Sequence, residues 1–453
     1  MRQRMKRIIW TGLVLASLLS GPASAREIGS SSPERQGVSS DRLEHITRFM
    51  NAKVEDGTMV GGMGVIARNG KVVYSQTYGQ ADREAGRAME EDAIYRIYSM
   101  TKPVTSVALM MLYEEGKFRL NDPVARYLPE LANLEVALST AGTGMVSDGT
   151  VSRSIGEGDA ELVGQTRAPA RQPTIRDLLT HTAGFTYGIF GNTEVDQLYR
   201  KTQMMGELNL EQFVKTLGEL PLQYEPGTQW HYSVSVDVQG RLVEVLSGLT
   251  FGEFLQQRIF GPLGMIDTAF FVPTEKLPRF AQLYKPKGLT NNNFLAPPSG
   301  KGLEVADDWL NFGYLRPPVF EGGGAGLVST ARDYLRFSQA LLNGGELDGV
   351  RILSPKTIEL MTINHLSDLP MGWGRKGAGF GLGFGLVLNP GEFGEVGSAG
   401  EYSWGGAAGT RFWIDPRENL VGMFMVQSMP HRTRLADDFR VLTYGAMTES
   451  QGD

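Results

Sequence analysis

The sequence contains no cysteine among its 453 residues. A chain without cysteine has no disulfide, no thiol nucleophile and no thiolate metal ligand, so the core alone must hold its fold. Dense runs of lysine and arginine are also missing beyond the extreme N-terminus, and the net charge is −6. This charge pattern makes nucleic acid and anionic membrane surfaces poor candidate partners.

Histidine is scarce, and the motifs of two large hydrolase classes are absent from the sequence. No Gly-x-Ser-x-Gly pentapeptide and no His-Glu-x-x-His pattern occurs. Their absence argues against an α/β-hydrolase and against a metalloenzyme, and we predict neither a metal nor an organic cofactor. We interpret His181 and His231 as residues that pack or satisfy local hydrogen bonds. The histidines are His45, His181, His231, His365 and His431.

Long apolar runs are equally rare. The N-terminal segment combines four positive charges in MRQRMKR, the apolar stretch IIWTGLVLASLL and the small residues ASA, which end at Ala25. This pattern predicts a secretory signal peptide at residues 1–25. The apolar stretch is too short for a membrane-spanning helix, which needs about 20 residues. We therefore expect a secreted or periplasmic protein with no stable membrane insertion after cleavage.

Apolar patterns predict strands and helices near both ends of the chain. DRLEHITRFMNAKV has helical spacing, and GMGVIARNGKVVYSQTYG alternates around an Asn-Gly hairpin signal. Near the C-terminus, GTRFWIDPRENLVGMFMVQS predicts two strands and RLADDFRVLTYGAM predicts an amphipathic helix. We expect a single unit at residues 26–453, with a sheet region from about 40–95 and 395–453. A mainly helical region, about 96–394, is inserted between the two parts.

Residues 138–166 do not follow these patterns. They are rich in glycine, serine and threonine and show no clear period. We predict a long surface loop here. Two roles stay open for it, a tolerated insertion or a lid that faces the substrate.

The stretch YRIYSMTKPV places Ser99 three residues before Lys102, at the start of an apolar run. On a helix these positions share a face, so the amine can approach the hydroxyl and remove its proton. If Ser99 begins the helix, the helix dipole should favour the alkoxide and lower the pKa of Lys102. The alternative is an ordinary N-cap serine, because Ser-x-x-Lys arises about once by chance in a chain of this length.

Several other segments accompany this stretch in a familiar order. They make the chain resemble the serine β-lactamase and penicillin-binding protein family, in its class C branch, and above all the family VIII carboxylesterases. The resemblance covers roughly residues 40–430 and implies an α/β (α+β) fold of the β-lactamase/transpeptidase type. In that fold an antiparallel sheet is flanked by helices and joined to a mainly helical region. The segments are WHYSVSVDVQG, YSWGGAAGTRFWIDP, TIRDLLTHTAGF, FGPLGM and GGGAGLVSTARDYLRFSQALLNGG.

The resemblance also assigns roles to individual residues. It implies that Ser99 is the nucleophile, Lys102 the motif lysine and Tyr232 the tyrosine that shares the proton transfer. A phenol has a reference pKa near 10, and nearby ammonium groups should lower this pKa toward a working range. The resemblance further implies an oxyanion hole made by the backbone N–H groups of Ser99 and Ala407.

Two motifs depart from the β-lactamase pattern. Trp404, Gly405 and Gly406 stand where lactamases and transpeptidases carry Lys-Thr-Gly. Val234 stands where the lactamase pattern has asparagine. We expect all four residues to contact the substrate and to make the pocket apolar. Such a pocket should favour neutral esters over anionic β-lactams or peptides that end in a carboxylate.

The sequence thus predicts an exported serine hydrolase that cleaves esters of small or medium acyl groups through an acyl-enzyme on Ser99. One alternative is a β-lactamase or D-alanyl-D-alanine carboxypeptidase that acts on β-lactams or peptidoglycan peptides. Another is a non-catalytic binding protein of the same fold. The expected partner is a small ester or β-lactam-like molecule, and the sequence makes no prediction of the oligomeric state.

Overall fold

The described part of the chain begins after the predicted signal peptide. Residues 1–25, and most of the loop predicted at 138–166, lie outside the described residues. Within those residues, no helix is long and apolar enough to cross a bilayer. The computed structural model describes residues 27–139, 160–202, 204–289, 302–307, 313–372 and 375–451.

Helices make up much of the middle of the chain. A π-helical turn, Gln256–Phe260, joins the eighth and ninth α-helices into one continuous segment. Short 3₁₀ helices lie at Pro33–Gln36, Tyr98–Met100, Val124–Arg126, Pro129–Leu131, Ala160–Leu162 and Thr274–Arg279. The α-helices are α1 Ser40–Glu55, α2 Thr101–Glu114, α3 Ile175–Leu179, α4 Glu194–Thr202, α5 Met204–Glu207, α6 Leu210–Leu217, α7 Ser235–Ser247, α8 Phe251–Leu255, α9 Gly261–Leu263, α10 Ala331–Leu342, α11 Pro355–Met361, α12 Pro390–Phe393 and α13 Leu435–Gly445.

Strands lie mainly toward the two ends of the chain. They are β1 Gly61–Arg68, β2 Lys71–Asp82, β3 Arg87–Ala88, β4 Tyr95–Arg96, β5 Val136–Ala137, β6 Thr166–Arg167, β7 Tyr284–Pro286, β8 Leu303–Val305, β9 Val328–Ser329, β10 Glu346–Leu347, β11 Val350–Arg351, β12 Ala378–Phe380, β13 Gly385–Val387, β14 Tyr402–Gly405, β15 Arg411–Asp415 and β16 Leu420–Val426. In the described residues, one 8-stranded antiparallel sheet has the order β12-β13-β14-β15-β16-β1-β2-β3. The other strands form short pairs.

The two ends of the chain meet in the middle of this sheet. β1 pairs with β2 on one side and with β16 on the other, where Gly64 lies opposite Phe424. The predicted hairpin between β1 and β2 is confirmed. Its turn residues Asn69 and Gly70 have φ angles of 54° and 68°, the left-handed values that a two-residue hairpin turn requires.

The sheet also extends further into the chain than the sequence predicted. β12 and β13 lie within the range assigned to the helical region, so the boundary at residue 395 was wrong. Each of the two strands has only three residues, in a glycine-rich stretch, and this is too short to show an alternating pattern. The loop predicted at 138–166 likewise ends in a strand, because β6 pairs with β5.

Both faces of the sheet are covered. On β15, Trp413 packs in the cluster that contains α1 and α13, whereas Phe412 and Ile414 point to the opposite face. On that opposite face α10 packs, with the Tyr334 ring 5.0 Å from the Phe412 ring. A strand buried on both faces must be apolar at successive positions, and β15 satisfies this requirement.

Helix α2 lies inside the protein. Every residue from Thr101 to Leu112 is buried, and the helix ends just before Gly116, whose φ is 73°. α7 packs beside it, where the Ser106 hydroxyl donates to Gln239 at 2.9 Å. A helix that is apolar almost all round is buried, as the sequence predicted. Burial of α2 carries Lys102 into the interior and leaves Ser99, just before the helix, partly exposed.

Phe439→Ala should lower the free energy of unfolding by about 3–5 kcal/mol. The Phe439 ring is fully buried and contacts the rings of Tyr74, Trp413 and Phe424. Urea denaturation of the purified protein measures the change. Val441→Ala, on the same helix but 44% exposed, should cost less than about 0.5 kcal/mol. Equal losses in the two variants would contradict the packing of α13 through its Phe439 face.

Candidate active site

Ser99 lies in the 3₁₀ turn that immediately precedes α2. The N-cap residues of this turn and of α2 are Ile97 and Met100, and neither makes a side-chain capping bond. From residue 93 to residue 112, Ser99 is the one residue that is not buried. Ser99 therefore does not serve as an ordinary N-cap, and its hydroxyl is reachable from solvent.

Tyr98 holds Ser99 in a tight bend of the backbone. Its φ of 42° lies in the left-handed region, which costs a bulky residue about 1–2 kcal/mol. The buried Tyr98 ring packs edge-on against Tyr314, with 6.2 Å between their centroids. Packing of this kind is what keeps a strained conformation in place, and such strain is common next to reacting groups.

Lys102 reaches back one turn of α2 to the serine. Its Nζ donates to Ser99 Oγ at 3.2 Å and to the carbonyl oxygen of Gly324 at 2.7 Å. The Lys102 side chain is only 2% exposed. The structure thus brings the two residues together as their spacing predicts.

Tyr232 reaches the same point from the segment before α7. The side chains of Ser99 and Trp404 lie close enough to the Tyr232 hydroxyl to lower its pKa. The Nζ of Lys102 lies 4.5 Å from the centroid of the Tyr232 ring. Three groups that can exchange a proton therefore lie together, although Tyr232 is far from the other two in sequence.

Asp237 is a charged residue of this site that was not predicted from the sequence. Burial raises the pKa of the Asp237 carboxyl to about 6, and Lys102 opposes the rise. The Gly324 peptide bridges the two residues, because its oxygen accepts from Lys102 and its N–H donates to Asp237 Oδ1 at 2.9 Å. The available signal was a lone acidic residue in the apolar first turn of SVDVQG.

Burial also lowers the pKa of Lys102 to about 7, while the charge of Asp237 opposes the fall. The direction agrees with the sequence-based expectation, but the main cause is loss of solvent rather than the helix dipole. Near neutral pH a substantial fraction of the amine is therefore unprotonated. A neutral amine 3.2 Å from Ser99 Oγ can accept its proton.

The pKa of Tyr232 was expected to be lowered, and this prediction is wrong. Burial raises the pKa of Tyr232 above its ordinary value, and the neighbouring side chains of Ser99 and Trp404 only partly offset this rise. The phenol therefore stays protonated. It suits a group that donates a proton, and Lys102 is the better base of the two.

The predicted oxyanion hole involves the turn after β14. Gly406 packs so closely on the Ile97 carbonyl that a Cβ at Gly406 would lie 2.4 Å from the carbonyl oxygen. This contact places Ala407 near the backbone of Ser99. Among the described residues, neither the Ser99 N–H nor the Ala407 N–H donates to a protein acceptor. Both donors are thus available for the oxygen of a substrate.

The residues predicted to contact substrate divide into two groups. Trp404, Gly405 and Gly406 are partly exposed, and the Trp404 ring lies 5.6 Å from that of Tyr232. Val234 instead is 0% exposed and lies in the main core. Its prediction as a substrate contact is wrong, because the side chain offers no accessible surface.

Two histidines near the site pack as predicted. His181 accepts the Ser233 N–H at its Nδ1, at 3.3 Å, and its ring lies 5.0 Å from the Tyr232 ring. Burial holds the pKa of His181 well below its ordinary value. His231 packs on Tyr224 with a ring separation of 5.0 Å. Since these imidazoles stay neutral near pH 7, they add no positive charge to the pocket.

The comparison with family models agrees with this geometry. The Beta-lactamase family model matches residues 46–445. The chain belongs to the β-lactamase family. This confirms the recognised family, and the structure has the predicted fold, in which helices cover an antiparallel sheet.

Individual relatives include proteins described as esterases. An uncharacterized protein of Mycobacterium tuberculosis is 32% identical over 389 residues, which cover 83% of this chain and 87% of that protein. Esterase EstB of Burkholderia gladioli is 29% identical over 366 residues, 79% of this chain and 83% of EstB. The structure of EstCE1, described as a hydrolase with promiscuous acyltransferase activity, aligns with a TM-score of 0.69. The two sequences are 26% identical, and the alignment covers 89% of this chain and 98% of the EstCE1 chain.

Asp237→Asn should move the pH dependence of catalysis to lower pH. Wild-type kcat/KM should rise with pH through about 7, as Lys102 loses its proton. The variant keeps an oxygen for the Gly324 N–H but loses the charge that holds this proton. The rising limb of the profile should therefore shift to lower pH by about one unit. Measurements of kcat/KM for p-nitrophenyl acetate from about pH 5 to about pH 9 test this.

The matched control is Asp333→Asn. Asp333 is another buried carboxylate whose pKa burial raises to about 6, but it accepts hydrogen bonds from Asp267 and Thr268. Its replacement should leave the rising limb in place. A limb that stays fixed or moves to higher pH in Asp237→Asn would show that this carboxylate does not hold the proton on Lys102.

Proposed function

We propose that this chain is an exported serine hydrolase that cleaves esters of small or medium acyl groups through an acyl-enzyme on Ser99. The observation that carries the proposal is the 3.2 Å contact between Lys102 Nζ and Ser99 Oγ. Burial gives this amine a pKa near that of a working base. The likeness to esterase EstB supports the substrate class. Export rests on the charge and apolar pattern of residues 1–25.

The reaction follows from the protonation states of the site. Neutral Lys102 accepts the Ser99 proton while Oγ attacks the ester carbonyl carbon. The N–H groups of Ser99 and Ala407 stabilise the oxyanion. As the C–O bond breaks, Tyr232 donates its proton to the leaving alcohol, and the proton held on Lys102 replaces it. Water then attacks the acyl-enzyme, the same pair accepts its proton, and the acid leaves as Ser99 is regenerated.

The pocket favours a neutral substrate over an anionic one. Where lactamases carry a lysine, Trp404 presents an indole that contacts the rings of Tyr232 and Phe380 at 5.6 and 5.4 Å. An indole offers no charge to pair with a substrate carboxylate. A carboxylate in this position would lose its water without gaining a partner, which is costly. Esters without a charge avoid this cost.

Ser99→Ala should lower kcat for p-nitrophenyl butyrate at least about a thousand-fold, because it removes the group that carries the acyl chain. It should also abolish labelling by a fluorophosphonate while the urea midpoint stays unchanged. Ser75→Ala, at an exposed position on β2, is the matched control and should keep wild-type turnover and labelling. Turnover that survives in Ser99→Ala would reject the assignment of the nucleophile.

The wild-type substrate profile separates the competing functions. Faster turnover of p-nitrophenyl butyrate than of nitrocefin is expected of an esterase. The reverse order would favour a β-lactamase or a carboxypeptidase. A protein that turns over neither substrate and takes no label would be a binding protein, and the proposal would be wrong.

Trp404→Lys should shift the preference toward anionic substrates. The ammonium group would supply the charge that Trp404 lacks, so the ratio of kcat/KM for nitrocefin to that for p-nitrophenyl butyrate should rise about tenfold. Trp404→Met removes the same indole without adding charge and should leave this ratio nearly unchanged. Equal ratios in the two variants would show that charge at this position does not set selectivity.

A further inference from the structure

The aromatic surface beside Ser99 extends past the groups that move protons. Phe190 is partly exposed, and its ring lies 5.6 Å from Tyr232 and 5.8 Å from Tyr187. Trp404, also partly exposed, contacts the Tyr232 ring at 5.6 Å. With Tyr187, whose ring lies 5.3 Å away, three partly exposed aromatic rings therefore contact that of Tyr232.

The loop that carries Phe190 is firmly held. The Gly188 N–H donates to Thr186 Oγ1 at 3.1 Å, and the Thr186 hydroxyl donates to Asp196 Oδ1 at 2.7 Å. Asp196 lies on α4. From the same helix, the Arg200 guanidinium donates to the carbonyl oxygen of Gly191 at 3.1 Å. These bonds anchor the backbone on both sides of Phe190. A ring fixed in this way can select the shape of a ligand, since little order must be gained on binding.

The proposed reaction indicates which part of an ester meets these rings. The carbonyl oxygen must point to the N–H groups of Ser99 and Ala407, and the alcohol oxygen must lie within hydrogen-bond reach of the Tyr232 hydroxyl. The carbon group attached to that alcohol oxygen then lies next to the rings that surround Tyr232. Tyr187, Phe190 and Trp404 are the partly exposed ones among them.

We infer that Phe190 and Trp404 form a subsite for the alcohol part of the ester, and that Phe190 gives this subsite a preference for planar aryl groups. The inference rests on the proposed ester hydrolysis. Aromatic rings favour offset-stacked or edge-to-face partners with centroids 4.5–7 Å apart, the range already present between the rings of this cluster. The preferred substrates are therefore esters of arylmethyl alcohols and similar planar alcohols.

The test compares esters that differ only in the alcohol. Benzyl acetate, cyclohexylmethyl acetate and ethyl acetate share one acyl group and have alkoxide leaving groups of similar basicity. Wild type should prefer the benzyl ester to the other two in kcat/KM. Phe190→Leu keeps apolar area but removes the ring, so the benzyl-to-ethyl ratio should fall about fivefold. The cyclohexylmethyl-to-ethyl ratio should stay within about twofold.

Two controls make the result specific. Phe49→Leu changes a partly buried phenylalanine on α1, which packs in the cluster on the far face of the sheet, and should leave all ratios unchanged. Ethyl benzoate compared with ethyl acetate places the aryl group on the acyl side. If Phe190→Leu changes this second ratio and leaves the benzyl-to-ethyl ratio intact, the subsite belongs to the acyl group and the inference is wrong.

The proposed function and this inference fail in different ways. If wild type hydrolyses none of these esters in a Ser99-dependent manner, the proposed function itself is wrong. If wild type hydrolyses them but Phe190→Leu leaves the benzyl-to-ethyl ratio unchanged, the enzyme stands and the aryl subsite is rejected. A fivefold loss confined to the benzyl ester supports both.

Discussion

The site depends on the burial of one amine. A lysine ammonium removed from water is costly unless it is paired, and Lys102 is nearly inaccessible. The Gly324 carbonyl, the Asp237 carboxylate and the faces of Tyr187 and Tyr232 surround it. These partners make burial tolerable but do not fully compensate for lost solvent, so the pKa of Lys102 falls to about 7. The same imbalance that makes this position unfavourable for a charge makes the amine a usable base.

The fold supplies this environment by uniting distant parts of the chain. α2 is buried along its length, which carries Lys102 into the core while Ser99 stays at the accessible end. The sheet, built from both ends of the chain, brings the turn after β14 against the Ile97 carbonyl, two residues before Ser99. Gly406 permits this approach because any Cβ there would collide with that carbonyl. The position of Ala407 therefore depends on the sheet, and the position of Lys102 depends on the helix.

Features with a local signal could be predicted from the sequence, and those set by packing could not. The hairpin at Asn69, the buried character of α2 and the approach of Lys102 to Ser99 follow from spacing over a few residues. Asp237 was missed because its partner lies far away in sequence, and Val234 was misplaced because burial depends on the neighbours of α7. β12 and β13 were missed because strands of three residues show no pattern.

The pKa of Tyr232 shifts in the direction opposite to the one expected, and this separates the protonation states of Lys102 and Tyr232. The phenol was expected to ionise more easily because of nearby cations, yet burial raises its pKa. In the lactamase pattern a lysine would occupy position 404, and a cation there would favour the phenolate. Trp404 instead places an uncharged ring 5.6 Å from that of Tyr232. Position 404 therefore carries no cation that could hold an anionic substrate or favour the phenolate, and burial keeps Tyr232 protonated. In the proposed reaction Lys102 is then the base, and Tyr232 donates its proton to the leaving alcohol.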